Sequence, residues 1–329
     1  MSELSPEPIL QLATGFMAAK HLFVASEIGL FRTLASGPKN LDELAALTHV
    51  PRRTLRIIAD AQVGLGLLER QDARYRNAPL AEAFLSGAGA VDLGPLLRFW
   101  DHISYPAWLG LEQAVRTDQA QTRHGAFSEE EQRIFSVGVE AFSAGPAAAL
   151  ASGYDWSRHH RVLDVGGGTG SFLLALRKQH PGLGLTLFEL PTVAPVARQR
   201  LGAAPGGDPI EVVAGDFFQD PLPDGHDAVI VAYVAHLFSH ERNIELLRRI
   251  RQRAPDGARL LLVDVWTDPG HTEPRVAALM AGEFLVIAGE GDVYSEAEVR
   301  GWLRETGWRF VERTPLAGPA SLIVAETVA

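Results

Sequence analysis

The stretch "RVLDVGGGTGSFLLALRKQH", Arg161 to His180, decides how the second half of this chain folds. Val162, Leu163 and Val165 make a short apolar run of strand length, and glycines 166–168 then open a tight turn. Phe172, Leu173 and Leu176 follow at helical spacing. A buried strand that enters a glycine turn and leaves as a helix is one βα unit of an α/β sheet.

The same grammar continues on the C-terminal side. Strands are expected at "GLTLFEL", "IEVVAGD", "DAVIVAYV" and "ARLLLVDVW", separated by helices such as "APVARQRLG" and "NIELLRRIRQRA". Strands alternating with helices argue for a doubly wound, mostly parallel sheet covered on both faces. The last two strands, "WRFVERTPL" and "ASLIVAETV", are joined by a short turn and read as an antiparallel hairpin at its edge.

The first 150 residues read differently. Apolar positions recur three and four apart through "ILQLATGFMAAKHLFVASEIGLFRTL", and Gly37-Pro38 ends the run. Two short helices around 42–47 and 53–63, then two strand-like runs near Leu67 and Tyr75, make a winged helix-turn-helix pattern. Such a pattern can bind DNA, and the arginines of "PRRTLR" would serve it. An ordinary solvated or dimer-facing helix is the preferred account of them, because the net charge of −10 opposes binding to phosphate backbones or anionic membranes, and neither nucleic acid nor membrane is expected as a partner. The expected organisation is an N-terminal domain over 1–98, a helical connector over 99–153, and an α/β domain over 154–329.

Composition narrows the chemistry. With 47% hydrophobic residues the chain has ample core, and with no cysteine it has no disulfide, thiolate ligand or cysteine nucleophile. The N-terminus lacks the features of a secretory signal, and no uncharged apolar run reaches the ~18 residues of a membrane span. The expected compartment is the cytoplasm.

In an open α/β sheet the ligand lies beyond the carboxyl ends of the strands, where "DVGGGTGS" falls. No G-K-[ST] follows the glycines, which rules out a P-loop, and Ser171 only half satisfies a dinucleotide fingerprint. Asp164 discriminates further. A carboxylate there is poorly placed beside a pyrophosphate but favourable near the ammonium and sulfonium of S-adenosylmethionine. Glu189, ending the next strand, can accept both ribose hydroxyls. Asp216 can accept from an adenine amino group, with the ring of Phe217 covering the base.

These motifs, "VLDVGGGTG", "FELPTV" and "GDFFQDPLP", resemble those of class I S-adenosylmethionine-dependent methyltransferases, and more closely the small-molecule O-methyltransferases of the caffeate and acetylserotonin type. The resemblance runs nearly end to end. It implies a Rossmann-like seven-stranded sheet, an N-terminal winged-helix dimerisation domain, a homodimer, a small-molecule acceptor, and conversion of the cofactor to S-adenosylhomocysteine. It places Asp164, Gly166, Gly168, Glu189, Asp216 and Phe217 around the cofactor. In the connector, the family's aromatic-x3-Met-x3-Ser pattern falls on Phe135, Val139 and Ser143. Phe135 would then wall the acceptor pocket and Ser143 would reach the cofactor's carboxylate, with Val139 replacing the family's methionine. Trp100 and His102, in an aromatic cluster with Tyr105 and Trp108, and Glu283 are further candidates for the acceptor pocket.

The family's catalytic motif, L-H-D-W-[SD]-[DE], laid on "AHLFSHE" puts the base at His236 and Leu237 where the family carries aspartate. Glu296 in "YSEAEV" matches the glutamate that orients this histidine. His236 and His240 are four apart, but Ser239 is a good N-cap. A helix starting at His240 would leave His236 in the preceding loop and break up a metal pair. The leading expectation is methyl transfer to a hydroxyl of an aromatic or polyketide-like acceptor. C-methylation, a decarboxylase or cyclase using the same cofactor, and a DNA-binding regulator are the alternatives.

Overall fold

The computed structural model describes residues 4–89, 91–120, 127–204 and 209–328. They form two compact units: Met1–Pro106 with Glu129–Ala141, and Ala107–Ser128 with Phe142–Ala329. The connector expected over 99–153 is therefore not a third body. Its long helix, Glu129–Gly153, gives its residues up to Ala141 to the first unit and the rest to the second.

In the first unit a 21-residue helix, Glu7–Glu27, precedes β1 (Lys39–Asn40), the helices Leu41–Thr48 and Arg52–Gly64, and the hairpin β2 (Leu68–Gln71) and β3 (Arg74–Asn77). The strands are antiparallel in the order β1-β3-β2. Asn40 explains why the second helix starts where it does. Its side chain accepts from the Asp42 and Glu43 amides, and Glu43 accepts in return from the Asn40 amide at 2.7 Å. Asp72 and Ala73 both take positive φ, as the tight turn of a two-residue hairpin requires. Phe31, Leu44, Leu55, Ala59 and Tyr75 fill the core beneath.

The first helix is unusual. It is apolar and long enough to cross a membrane by length and composition, as is Glu129–Gly153. Yet within it only Phe23 and Ala25 are buried, while Ile9, Leu12, Phe16 and Met17 are each at least half exposed.

The second unit is built on seven strands: β4 (Arg161–Val165), β5 (Gly184–Glu189), β6 (Glu211–Ala214), β7 (Ala228–Ala232), β8 (Arg259–Asp264), β9 (Trp308–Pro315) and β10 (Ser321–Thr327). Their order is β6-β5-β4-β7-β8-β10-β9. All neighbours are parallel except β10, which runs against both β8 and β9. The central strands are mostly apolar because both faces are covered. Leu163, Val229, Leu260 and Trp302 pack on one face, and Val162, Leu173, Ile230 and Leu261 on the other. Strand order reverses between β4 and β7, and at such a switch point the loops leaving the two strands diverge and open a crevice.

Candidate active site

Four carboxylates stand at or near the carboxyl ends of parallel strands of one sheet: Asp164 in β4, Glu189 closing β5, Asp216 after β6, and Asp264 closing β8. Each is held differently. Asp164 is fully buried, and among the described residues neither of its oxygens has a hydrogen-bond partner. Burial, reinforced by the nearby charge of Glu189, pushes its pKa up to about 8. The glycine loop closes over it, since a Cβ on Gly167 would lie 2.2 Å from Asp164 Oδ2. Only glycine fits there.

Glu189 accepts from the Gly168 amide at 2.7 Å through Oε2 and from the Leu190 amide at 2.7 Å through Oε1. Burial raises its pKa, and these two bonds partly offset the effect. The strand end is thereby tied to the glycine loop. Gly166 and Gly168 both adopt positive φ, and Phe217 and Val234 pack against Gly166. Asp216 accepts from the Phe218 amide at 2.8 Å and from Gln219 Nε2 at 3.0 Å. Phe217, Phe218 and Phe238 form one edge-to-face cluster. Ser143 is buried in the later part of the long helix, next to Phe142, whose ring packs at 5.2 Å on Tyr233 just past β7.

His236 lies in a short 3-10 turn, Ala235–Leu237, beyond β7. Its Nδ1 is 2.8 Å from Asp264 Oδ1, which also accepts from the Val265 amide at 2.8 Å. The ring stacks on Phe284, with centroids 3.8 Å apart and planes 14° apart. Glu296 does not orient this histidine, contrary to the expectation from sequence. Ser295 caps the helix on which Glu296 sits, and Glu296 instead pairs with Arg300 Nε at 2.8 Å and faces Arg313 at 3.7 Å. Asp264 holds the histidine in its place.

His240 opens the helix His240–Arg253 behind its cap Ser239, and its Nδ1 accepts from Trp302 Nε1 at 2.7 Å. The two histidines therefore have separate partners. Of the residues expected to face an acceptor, Trp100, His102, Phe135 and Val139 belong to the first unit. Trp100 and His102 lie in a π-helical turn, His102 near Glu27, and Phe135 packs edge-on against Phe99. Glu283 belongs to the second unit, next to Phe284, and accepts from Trp108 Nε1.

Asp264, Phe284 and Tyr233 were not singled out from sequence. Asp264 carried a usable signal: like Asp164 and Glu189, it is an acid at or next to the end of a mostly apolar strand.

A switch-point crevice with a glycine loop over one buried carboxylate and a second carboxylate tied to that loop defines a class I S-adenosylmethionine-dependent methyltransferase. Residues 108–309 match the O-methyltransferase domain and residues 10–87 the O-methyltransferase dimerisation domain, so the chain belongs to the O-methyltransferase family. It is 35% identical over 323 residues to the 3-hydroxy-5-methyl-1-naphthoate 3-O-methyltransferase of Streptomyces sahachiroi, covering 96% of this chain and 93% of that one. It is 32% identical to the tetracenomycin polyketide synthesis 8-O-methyl transferase of Streptomyces glaucescens, covering 97% and 96%. Among solved structures, human N-acetylserotonin methyltransferase in complex with S-adenosylmethionine superposes with a TM-score of 0.90 at 26% identity, covering 100% and 99%.

The enzyme is thus an S-adenosylmethionine-dependent methyltransferase. The residues present fit that cofactor. Asp164 is a buried carboxylate with no hydrogen-bond partner among the described residues, the counterpart that the cofactor's ammonium calls for.

Proposed function

We propose that this enzyme methylates a hydroxyl of an aromatic or polyketide-like small molecule, with His236 removing the hydroxyl proton. The cofactor supplies an electrophilic methyl group on a sulfonium. One observation carries the rest: the 2.8 Å contact between His236 Nδ1 and the buried carboxylate of Asp264. A carboxylate accepts from the ring N–H, so Nδ1 carries the proton and Nε2 keeps the lone pair. Among the described residues Nε2 has no hydrogen-bond partner. Asp264 stabilises the imidazolium once a proton is taken, and Phe284 fixes the ring plane. A neutral imidazole is a base suited to taking the proton of a phenolic hydroxyl.

The acceptor class is supported by the two Streptomyces relatives, whose names specify a hydroxynaphthoate and a polyketide. A competition among hydroxylated, amino and carbon-acid forms of one naphthoate scaffold tests it. Exclusive turnover of the amine or carbon acid would overturn it.

On this reading Asp164, Gly166 and Gly168 hold the amino-acid end of the cofactor, Glu189 the ribose, and Asp216 with Phe217 the adenine, while Ser143 reaches the carboxylate. Facing a cation, Asp164 must be ionised, whereas in the empty protein it holds a proton below about pH 8. Its folded pKa is raised, so cofactor binding near pH 7 should release close to one proton and tighten as pH rises towards 8. Calorimetry in buffers of different ionisation enthalpy measures this directly. Proton uptake, or none, would remove Asp164 as the cation's partner.

The exposed apolar face of helix Glu7–Glu27 falls largely in the stretch matching the dimerisation domain, which supports a homodimer formed through that face. Sedimentation equilibrium should return twice the chain mass, and Leu12→Glu with Phe16→Glu should return the monomer. A monomeric wild type would refute the arrangement.

A further inference from the structure

Tyr233 is a polar residue of the second unit that the chemistry above does not use. It follows β7 with φ at +58°, a conformation a bulky side chain rarely adopts, and its amide donates to the Val263 carbonyl at 2.8 Å. Its hydroxyl is buried and has no hydrogen-bond partner among the described residues. Outliers of both kinds persist where the surrounding structure enforces them, and they concentrate at ligand sites. The ring is held by Phe142 at 5.2 Å and Phe172 at 6.3 Å, and it lies 6.2 Å from the ring of His236.

We propose that the Tyr233 hydroxyl donates a hydrogen bond to the carboxylate at the amino-acid end of bound S-adenosylmethionine. The proposal rests on the cofactor assignment and adds a recognition residue for its one anionic group. Asp164, Glu189, Asp216 and Asp264 can accept from an ammonium, an amine, an imidazole or hydroxyls, but each repels a carboxylate. A carboxylate in this crevice therefore needs a donor. Tyr233 sits against Phe172 in the first turn of helix Ser171–Gln179, the end whose free amides favour negative charge. Phe142, on its other side, adjoins Ser143. Burial, with the charge of Asp264, pushes the phenol pKa upward, so the hydroxyl keeps its proton and acts as a donor.

The test uses full-length Tyr233→Phe, which removes the hydroxyl and keeps the ring. Calorimetry should show affinity for S-adenosylhomocysteine falling about tenfold or more, as for loss of a hydrogen bond to a charged group. Affinity for 5′-methylthioadenosine, which lacks the amino-acid end, should not change. Equal losses for both ligands, or no loss for either, would overturn the proposal. The melting temperature of the empty variant should match or exceed the wild type, because an unpaired hydroxyl is removed. A fall of several degrees, or failure to fold, would show that the hydroxyl has a structural partner and also overturn it. If the wild type itself does not bind S-adenosylhomocysteine, the cofactor assignment fails, and this proposal with it.

Discussion

Replacing His236 with alanine is expected to lower kcat about 10²- to 10⁴-fold, the usual contribution of a positioned base, while leaving affinity for S-adenosylmethionine essentially unchanged. The two effects separate because His236 bonds to Asp264, whereas the cofactor groups assigned to Asp164, the glycine loop and Glu189 are held by different contacts. Asp264→Ala should lower kcat in the same direction but by less, since it frees the ring to rotate and to carry its proton on either nitrogen. Glu296→Gln serves as the control. Its carboxylate sits in a partly exposed ion pair with Arg300, worth at most about 1 kcal/mol, and turnover should be unaffected. Steady-state kinetics on all three variants decides the matter. A normal kcat for His236→Ala, or a larger effect at Glu296 than at Asp264, would contradict the assignment.

The second large effect is at Gly167. An alanine there would place its Cβ 2.2 Å from Oδ2 and 2.4 Å from Cγ of Asp164. That carboxylate is fully buried, so either it or the glycine loop must move. Overpacking of this kind costs about 1–3 kcal/mol, and the strain falls on the cofactor site. Affinity for S-adenosylmethionine should weaken about 10- to 100-fold, with some loss of thermal stability. Gly182→Ala is the matched control, because nothing lies within 4 Å of its would-be Cβ and its φ is ordinary. Calorimetry and melting curves on both variants provide the check, and equal behaviour would mean that the loop does not depend on Asp164.

The parts legible in the sequence were those encoded by neighbouring residues. The βα grammar at 161–180, the edge hairpin, the Asn40 and Ser239 starts of helices and the carboxylate closing β5 each follow from a few consecutive residues. His236 was visible for the same reason, and Ser239 correctly separated it from His240. The partner of His236 was not visible. Asp264 lies 28 residues away in sequence, and only the parallel pairing of β7 with β8, Ala232 opposite Val263, brings it alongside. Reading Glu296 by motif failed because its local partners, Arg300 one helical turn on and Arg313 in β9, hold it elsewhere. The connector misled differently: helical periodicity runs unbroken through Ala141 and cannot register that the two ends of one helix serve different cores. Tyr233 was hidden because its backbone conformation and its unpaired hydroxyl exist only in the fold.

The central claim is that this site joins a methyl group from S-adenosylmethionine to an acceptor oxygen. Its most direct test is nuclear magnetic resonance of the product made from a hydroxylated aromatic polyketide acceptor and cofactor labelled with carbon-13 in the methyl group. The account predicts a single labelled methyl on oxygen, formed by the wild type and greatly reduced with His236→Ala. A label on carbon or nitrogen, or an acceptor altered without gaining the label, would contradict it.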